Sequence, residues 1–214
     1  VWNSAEEIAA NPHFSDDAPG GIRIVDTNND GSLTPEDRVA LGTPYPDFTW
    51  GITNTFQIKD FDISFLIQGV QGITVLNGDV YYNETKKWNK KYTKNRWVSA
   101  EHPGDGKTPY QNVKTGHDLM LTDYPLQNAS YACLRNFTVG YTLPATAARK
   151  IKLSGVRFYV SGSNLLYIWG SGYKGINPES RMTSGNYSSA MISGYQRGGF
   201  PLTSTISAGF DINF

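Results

Sequence analysis

Cysteine is almost absent. One residue in 214, Cys133, carries a thiol, so no disulfide can close within the chain. Cys133 lies in a strand-like pattern, which suits a small buried or lipid-facing side chain better than a reactive thiol. Net charge is absent too. The 19 Lys and Arg balance 19 Asp and Glu, which removes the electrostatic case for nucleic acid. No run of about 18 apolar residues occurs, so no transmembrane helix is expected. Strands that cross a membrane carry a much weaker hydropathy signal and are not excluded. His13, His102 and His117 show neither metal spacing nor a nucleophile pattern, and there is no Gly-x-Ser-x-Gly element. Glycoside hydrolysis needs two carboxylates across a cleft, and no pair is marked. An enzyme is not expected. The chain opens at Val1 without Met, a basic n-region or an apolar h-region. Either a signal peptide has been removed or the chain is a piece of a longer one; the strand count below favours a piece.

Glycine (22 residues) and tyrosine (13) are plentiful, a composition that leans towards β structure. The clearest strand is the last stretch, Leu202 to Phe214. Ile206, Ala208, Phe210, Ile212 and Phe214 alternate with Thr205, Ser207, Gly209, Asp211 and Asn213. Side chains in a strand change face at every residue, so one face is apolar and the other polar. The last strand of a soluble β-sandwich fits this pattern. So does a strand of an outer-membrane barrel, with apolar side chains to lipid, polar ones to the lumen and an aromatic at the interface.

At the start, Ser4 to Ala10 reads as a short helix, with Ser4 as cap and Glu7 three residues on. Pro12, Pro19, Gly20 and Gly21 then break regular structure. The run Asp26-Thr27-Asn28-Asn29-Asp30-Gly31-Ser32-Leu33-Thr34-Pro35-Glu36-Asp37 follows the loop pattern of an EF-hand. Candidate ligands are Asp26, Asn28, Asp30, Ser32 and Asp37, with Gly31 where the loop turns sharply. Asp37 replaces the usual Glu at the closing position, and its shorter side chain reaches a metal less easily. The flanking helices of an EF-hand are missing. A structural Ca²⁺ is expected, with Mg²⁺ less favoured because it keeps several waters. The alternative is an Asx-rich loop that holds its own backbone without metal.

Two long alternating strands follow. Phe48, Trp50, Ile52, Asn54, Phe56 and Ile58 share one face, and Phe61, Ile63, Phe65 and Ile67 share another. Lys59-Asp60 forms a tight turn between them. From Gly69 to Asn128 the periodicity disappears. This segment holds Tyr81, Tyr82, Trp88, Tyr92, Trp97, Tyr110 and Tyr124 beside Lys86, Lys87, Lys90, Lys91, Lys94 and Arg96. Aromatics with basic neighbours suit sugar stacking or peptide contact; equally, they could form the small core of the loop itself. Ala129 to Pro144 alternates again, and Gly155 to Ile168 alternates until the pattern blurs at Gly162 to Leu165, as at a bulge. Pro144 to Ser154 is a short polar connection, and Trp169 to Pro201 a second long loop. Five long strands, joined alternately by short and long connections, match a barrel with short periplasmic turns and long external loops. They are too few to close, since the smallest single-chain barrels have about eight strands, and an open sheet would leave two unpaired edges.

The sequence also carries a set of motifs in order: Asp26 to Gly31, Leu41-Gly42-Thr43-Pro44-Tyr45-Pro46-Asp47-Phe48-Thr49-Trp50-Gly51 and Lys59-Asp60-Phe61-Asp62-Ile63-Ser64. Then come Gln68-Gly69, Ser130-Tyr131, Leu134-Arg135-Asn136 and Gly140-Tyr141-Thr142-Leu143-Pro144. The last are Ser163-Asn164-Leu165 and Tyr173-Lys174-Gly175-Ile176-Asn177-Pro178-Glu179. In this order they resemble the C-terminal part of SusC/RagA-type outer-membrane transporters of the Bacteroidetes, with Cys133 a departure where a larger or polar residue is expected. The resemblance implies a roughly 22-stranded barrel with a plug, driven by TonB and closed by a SusD-like surface lipoprotein. It implies import of oligosaccharides or peptides across the outer membrane, with the plug and the TonB contact in an N-terminal region absent here. The expected fold is all-β: about five C-terminal strands of a large antiparallel transmembrane barrel with long extracellular loops. Residues 1–44 would be an extracellular loop, and residues 45–214 the incomplete barrel, in contact with lipid and with the rest of barrel and plug. A secreted Ca²⁺-dependent glycan-binding β-protein is the alternative.

Overall fold

A computed structural model describes residues 1–80, 94–110, 122–180, 194–196 and 199–214. Its strands are β1 (Phe48–Ile58), β2 (Phe61–Gln71), β3 (Thr74–Asn77), β4 (Leu126–Asn128), β5 (Tyr131–Thr142), β6 (Gly155–Trp169), β7 (Tyr195–Gln196) and β8 (Thr205–Asn213). Short helices among the described residues include α1 (Ala5–Ala9) and α2 (Ala145–Lys150). The chain divides into two compact units, Val1–Pro44 with Thr74–Gln127 and Ser180–Gly199, and Tyr45–Ile73 with Asn128–Glu179 and Phe200–Phe214.

The second unit is a five-stranded antiparallel sheet in the order β1-β2-β5-β6-β8. These are the five strands that alternation marks. They run 11, 11, 12, 15 and 9 residues, and a tilted strand needs about 9–11 to cross a bilayer. Lys59 turns the β1–β2 hairpin with φ 55°, and Asp60 O accepts the Thr142 N–H at 2.8 Å. Where a polar connection is expected after β5, the chain forms α2. Its sequence, ATAARK, has strong helix formers but no apolar stripe, so periodicity does not reveal it. Arg149 and Lys150 lie in its last turn, where cations oppose the helix dipole.

The two faces of the sheet differ in chemistry. Ile58, Phe61, Tyr141, Phe158 and Phe210 stand opposite one another across all five strands, in a row near the short connections. Phe61 and Tyr141 pack with centroids 4.8 Å apart. Ile52, Phe56, Val160, Leu166, Ile168, Ile206 and Phe210 are all exposed. A water-soluble sandwich would cover such a face, whereas a membrane barrel turns it to lipid. The opposite face carries Asp62, Gln68, Tyr159, Arg157, Tyr167 and Asp211.

A bulge re-aims one charge. Asn136 pairs with Ser163 and Leu134 with Leu166, which leaves Arg135 extra on β5 and Asn164 and Leu165 extra on β6. The blurred pattern at Gly162 to Leu165 is this bulge, with Asn164 at φ 55°. Strict alternation would put Arg135 on the apolar face with Phe137 and Val139. One inserted residue flips the parity, and Arg135 turns to the polar face.

The first unit has a small core that includes Trp2, Ile8, Val75, Val80 and Trp97, all buried. Ser4 caps α1 by accepting the Glu7 N–H at 3.3 Å, and Glu7 Oε2 takes the Asn3 N–H at 2.8 Å. Three strands too short for periodicity form a sheet in the order β4-β3-β7, with β3 and β7 parallel.

On the apolar face, the Trp50 indole lies over Gly69, its cross-strand partner. A Cβ on Gly69 would sit 2.4 Å from Trp50 Cε2. Gly69→Val should therefore displace the indole and cost about 1–3 kcal/mol. The check is a lower temperature for loss of the folded, SDS-resistant band of the whole barrel; Gly69→Val with unchanged resistance would show that Trp50 has room to move.

Candidate functional site

The polar face holds two charged clusters. Near the short connections, Arg157 on β6 reaches Asp62 on β2 through a two-pronged contact, Nε to Oδ1 at 3.0 Å and Nη2 to Oδ2 at 2.6 Å. Its Nη1 also meets Asp211 Oδ2 on β8 at 3.3 Å. β5 runs between Asp62 and Arg157, and Gly140 is the residue in between. A Cβ there would lie 2.3 Å from Asp62 Oδ1 and 2.5 Å from Arg157 Nη2, so glycine leaves the ion pair its passage. The Arg157 guanidinium also sits 5.2 Å from the Tyr159 ring centroid. The cluster joins three strands of the wall.

Nearer the long connections, Arg135 gathers a second set. Nη1 donates to Asn164 Oδ1 at 2.7 Å and to the Tyr167 hydroxyl at 2.9 Å. Nη2 pairs with Glu179 Oε1, which also accepts the Tyr167 hydroxyl at 3.0 Å. With its amide oxygen turned to the guanidinium, Gln68 accepts from Nη2 at 2.6 Å and Nε at 3.0 Å. Glu179 in turn is set by Asn177, whose Oδ1 accepts the Glu179 N–H at 2.9 Å while its Nδ2 donates to Phe200 O at 3.2 Å. Three sequence motifs far apart in the chain, Leu134-Arg135-Asn136, Ser163-Asn164-Leu165 and Tyr173 to Glu179, therefore meet at one guanidinium. The network fastens the start of the second long loop to the polar face of β5 and β6. Among the described residues, this network shows no pairing of a nucleophile with a general base. These charged residues were not singled out from sequence, although charge at polar-face positions of a barrel strand is the signal that marks them.

The acidic loop is wound on its own hydrogen bonds. Asp26 Oδ2 accepts the Gly31 N–H at 2.8 Å, Asn28 Oδ1 accepts the Asp30 N–H at 3.0 Å, and Asp30 Oδ1 accepts the Ser32 N–H at 2.8 Å. Asp37 is buried, and both its oxygens are engaged. Oδ1 takes the Thr27 N–H and Oδ2 the Thr34 N–H, each at 2.8 Å. Thr34 caps the turn Pro35–Asp37 in a reciprocal capping box. Among the described residues, no three His, Cys, Asp or Glu side chains converge as a metal site. In the aromatic segment, Trp97 is buried and its Nε1 donates to Asn3 Oδ1 at 3.0 Å. It meets Tyr110 edge-on, with centroids 6.0 Å apart. That ring is core rather than platform. Tyr81, Tyr82, Trp88, Tyr92, Lys86, Lys87, Lys90 and Lys91 lie outside the described residues.

No family model matches the chain. The TonB-dependent receptor P26 of Formosa agariphila is 30% identical over 224 residues, covering 100% of this chain and 22% of the receptor. SusC of Bacteroides thetaiotaomicron, also a TonB-dependent receptor, is 27% identical over 157 residues, covering 73% of this chain and 15% of SusC. Among solved structures, the RagAB peptide importer in its closed-closed state superposes with a TM-score of 0.62 at 20% identity, over 87% of this chain and 20% of that one. This segment belongs to the SusC/RagA-type TonB-dependent receptors. It spans about a fifth of the length of the receptors it matches. Those relatives are receptors and transporters, not enzymes. The five-stranded sheet is thus a sector of a barrel wall, its exposed aromatic row the lipid side and its charged clusters the lumen side.

Two outcomes follow from this geometry. Arg135→Met and Glu179→Gln should each destabilise the whole receptor, and a double-mutant cycle on its unfolding should give a coupling of about 1–2 kcal/mol; additive effects would show that the pair is not coupled. The second concerns pH. The Thr34 N–H, followed by those of Thr27 and Asn28, holds the Asp37 carboxyl below its usual 3.8. A depressed folded-state value means that the stabilisation is present above the unfolded value and fades as pH falls through the folded one. Pepsin cleavage within 26–37 should therefore rise as the pH drops below 3.8, and Asp37→Asn should be cleaved readily at every acid pH. A pH-independent cleavage rate in the native protein would contradict this.

Proposed function

We propose that this chain forms part of the wall and external loops of an outer-membrane importer that takes up oligosaccharides or peptides. TonB drives it through a region of the receptor outside this segment, and a SusD-like surface lipoprotein closes over its loops. The observation that carries this reading is the sheet itself, with an apolar face exposed on five membrane-length strands and charge confined to the other. β1 and β8 each have a partner on one side among the described residues, as a wall continued by further strands requires. The relatives support it: SusC is a TonB-dependent receptor and RagAB a peptide importer. Transport of this kind makes and breaks no covalent bond. The wall supplies contacts, the loops meet lid and substrate, and the plug transmits force. A secreted glycan-binding protein would have no use for an uncovered face of Phe and Ile.

The test is gentle detergent extraction of the native outer membrane through a tag on this chain, followed by intact mass of what co-purifies. The importer predicts the full-length receptor with a lipoprotein and bound substrate. A chain of about this length, soluble without detergent, would replace the importer with the secreted binding protein.

The 26–37 loop is proposed to take a structural Ca²⁺ through Asp26, Asn28, Asp30, Ser32 and Asp37. Ligand spacing supports this; Asp37 must exchange backbone N–H groups for the metal. Affinity should accordingly lie in about the 0.1–1 mM range of extracellular modules. Calorimetry should show Ca²⁺ binding that Asp30→Ala abolishes, and no heat at millimolar Ca²⁺ would leave the loop purely self-bonded.

A further inference from the structure

The two short connections at one end of the five-stranded sheet carry more cations than acids. Lys59 lies in the β1–β2 turn, and Arg149, Lys150 and Lys152 lie in the β5–β6 connection. Thr142 N donates to Asp60 O at 2.8 Å, which sets the first turn beside the end of β5, where the second connection begins. No Asp or Glu occurs between Asp123 and Glu179, so the β5–β6 connection has three cations and no acid. Asp60 is the one acid in the two connections. Asp62 and Asp211, at the same end of the sheet, are held by Arg157 on the polar face. Among the described residues, none of the four cations enters an ion pair, and all four are exposed.

The backbone here does not call for lysine. Among the described residues, the non-glycine residues at positive φ are Asn29, Asn164, Lys59 at 55° and Lys152 at 59°. That left-handed region favours Gly, and Asn after it. Two of the four are therefore the lysines of the short connections. Lys152 follows Ile151, the cap at the end of α2, where helices most often take glycine. The dipole of α2 gives Arg149 and Lys150 a local use, but Lys59 lies in another turn and Lys152 beyond the helix.

The surroundings of these charges are apolar. α2 packs against β6, with Ala148 buried. Val156 shares the apolar face with Phe158 and Val160 by parity, yet it is buried where they are exposed. The connection thus covers the apolar face at the start of β6. Ile151 is 58% exposed between Lys150 and Lys152. Phe61, Tyr141, Phe158 and Phe210 stand on the same face at the same end. Long cationic side chains beside such a surface lay their stems along it and keep their charged heads in the polar layer.

We propose that the short connections bind the phosphate of an anionic phospholipid in the leaflet at this end of the wall. Arg149 matches phosphate oxygens with its planar fork, and Lys59, Lys150 and Lys152 add point charges. The inference rests on the reading of the sheet as a membrane wall, in which the short connections are periplasmic.

The experiment uses the full-length receptor in phosphatidylcholine nanodiscs doped with photoactivatable lipids. Phosphatidylglycerol and phosphatidylcholine, each with a diazirine beside the headgroup, are compared by mapping cross-linked peptides. A third probe carries the diazirine in its acyl chain. Peptides from 143–154 should take at least about fivefold more of the phosphatidylglycerol probe, the scale of one cation at an anionic surface. The preference should shrink as salt is raised from about 50 to 500 mM. The double variant Lys59→Gly and Lys152→Gly keeps a backbone that glycine adopts freely, so it should fold and yet lose most of the preference. Lys107→Gln, in the first unit, should leave it intact. Equal labelling by the two headgroup probes, or a preference that survives both the double glycine variant and Arg149→Gln with Lys150→Gln in a folded receptor, would overturn the lipid site. So would labelling erased by excess free glycerol phosphate at constant ionic strength, which would make the ligand a soluble phosphate. No headgroup labelling at 143–154, while the acyl-chain probe still labels the strands of Phe158 and Phe210, would overturn the site and leave the wall standing. Loss of acyl-chain labelling as well would remove both.

Discussion

Backbone hydrogen bonding in a medium without water is the constraint on which this structure turns. Each N–H and C=O that enters hydrocarbon must find a partner within the protein, which restricts spanning strands to a paired wall. The five long strands meet that demand on their inner edges by antiparallel pairing in continuous register, interrupted at one bulge. Once pairing is fixed, the pleat assigns each side chain to lipid or lumen. The aromatic row from Ile58 to Phe210 and the Asp62–Arg157–Asp211 cluster then follow from parity alone. Both lie at the end of the sheet where the connections are short. Lipid-side aromatics and lumen-side charges thus stabilise the same few residues of wall from opposite faces.

Charge on the lumen side is tolerable because it is shared. Arg157 is matched by Asp62 and Asp211, and its bond to Asp62 is two-pronged. Arg135 has Glu179 as counter-ion and distributes its remaining donors over Asn164, Tyr167 and Gln68. A single carboxylate beside each guanidinium would satisfy the charge but not the donors. Surface ion pairs alone contribute little; here the geometry ties strands, and one loop, to each other. Gly140 shows how closely the sequence is adjusted to this. It contributes no side chain, and its value lies in the space that lets Asp62 and Arg157 meet across β5.

The sheet was legible in the sequence because strands with one wet and one apolar face must alternate. All five long strands, the Lys59-Asp60 turn and the irregularity near Asn164 follow from that rule. Arg135 did not, because a one-residue bulge reverses the parity that alternation assumes, and its partners lie in motifs tens of residues away. β3, β4 and β7 were invisible for a different reason. With four, three and two residues, they are too short for any period to appear, and they are held by pairing with distant segments. Helix α2 has propensity without an apolar stripe. Trp97 illustrates the ambiguity of aromatics in loops: composition suits a sugar platform, whereas its burial and its bond to Asn3 make it an anchor.

The acidic loop of the first unit spends its charge within itself. Asp26, Asn28, Asp30 and Asp37 turn their oxygens to backbone N–H groups within the loop, so their charge is absorbed locally and stabilises the winding of that segment. An acidic side chain can satisfy backbone donors from within its own loop. The acidic loop thus serves shape.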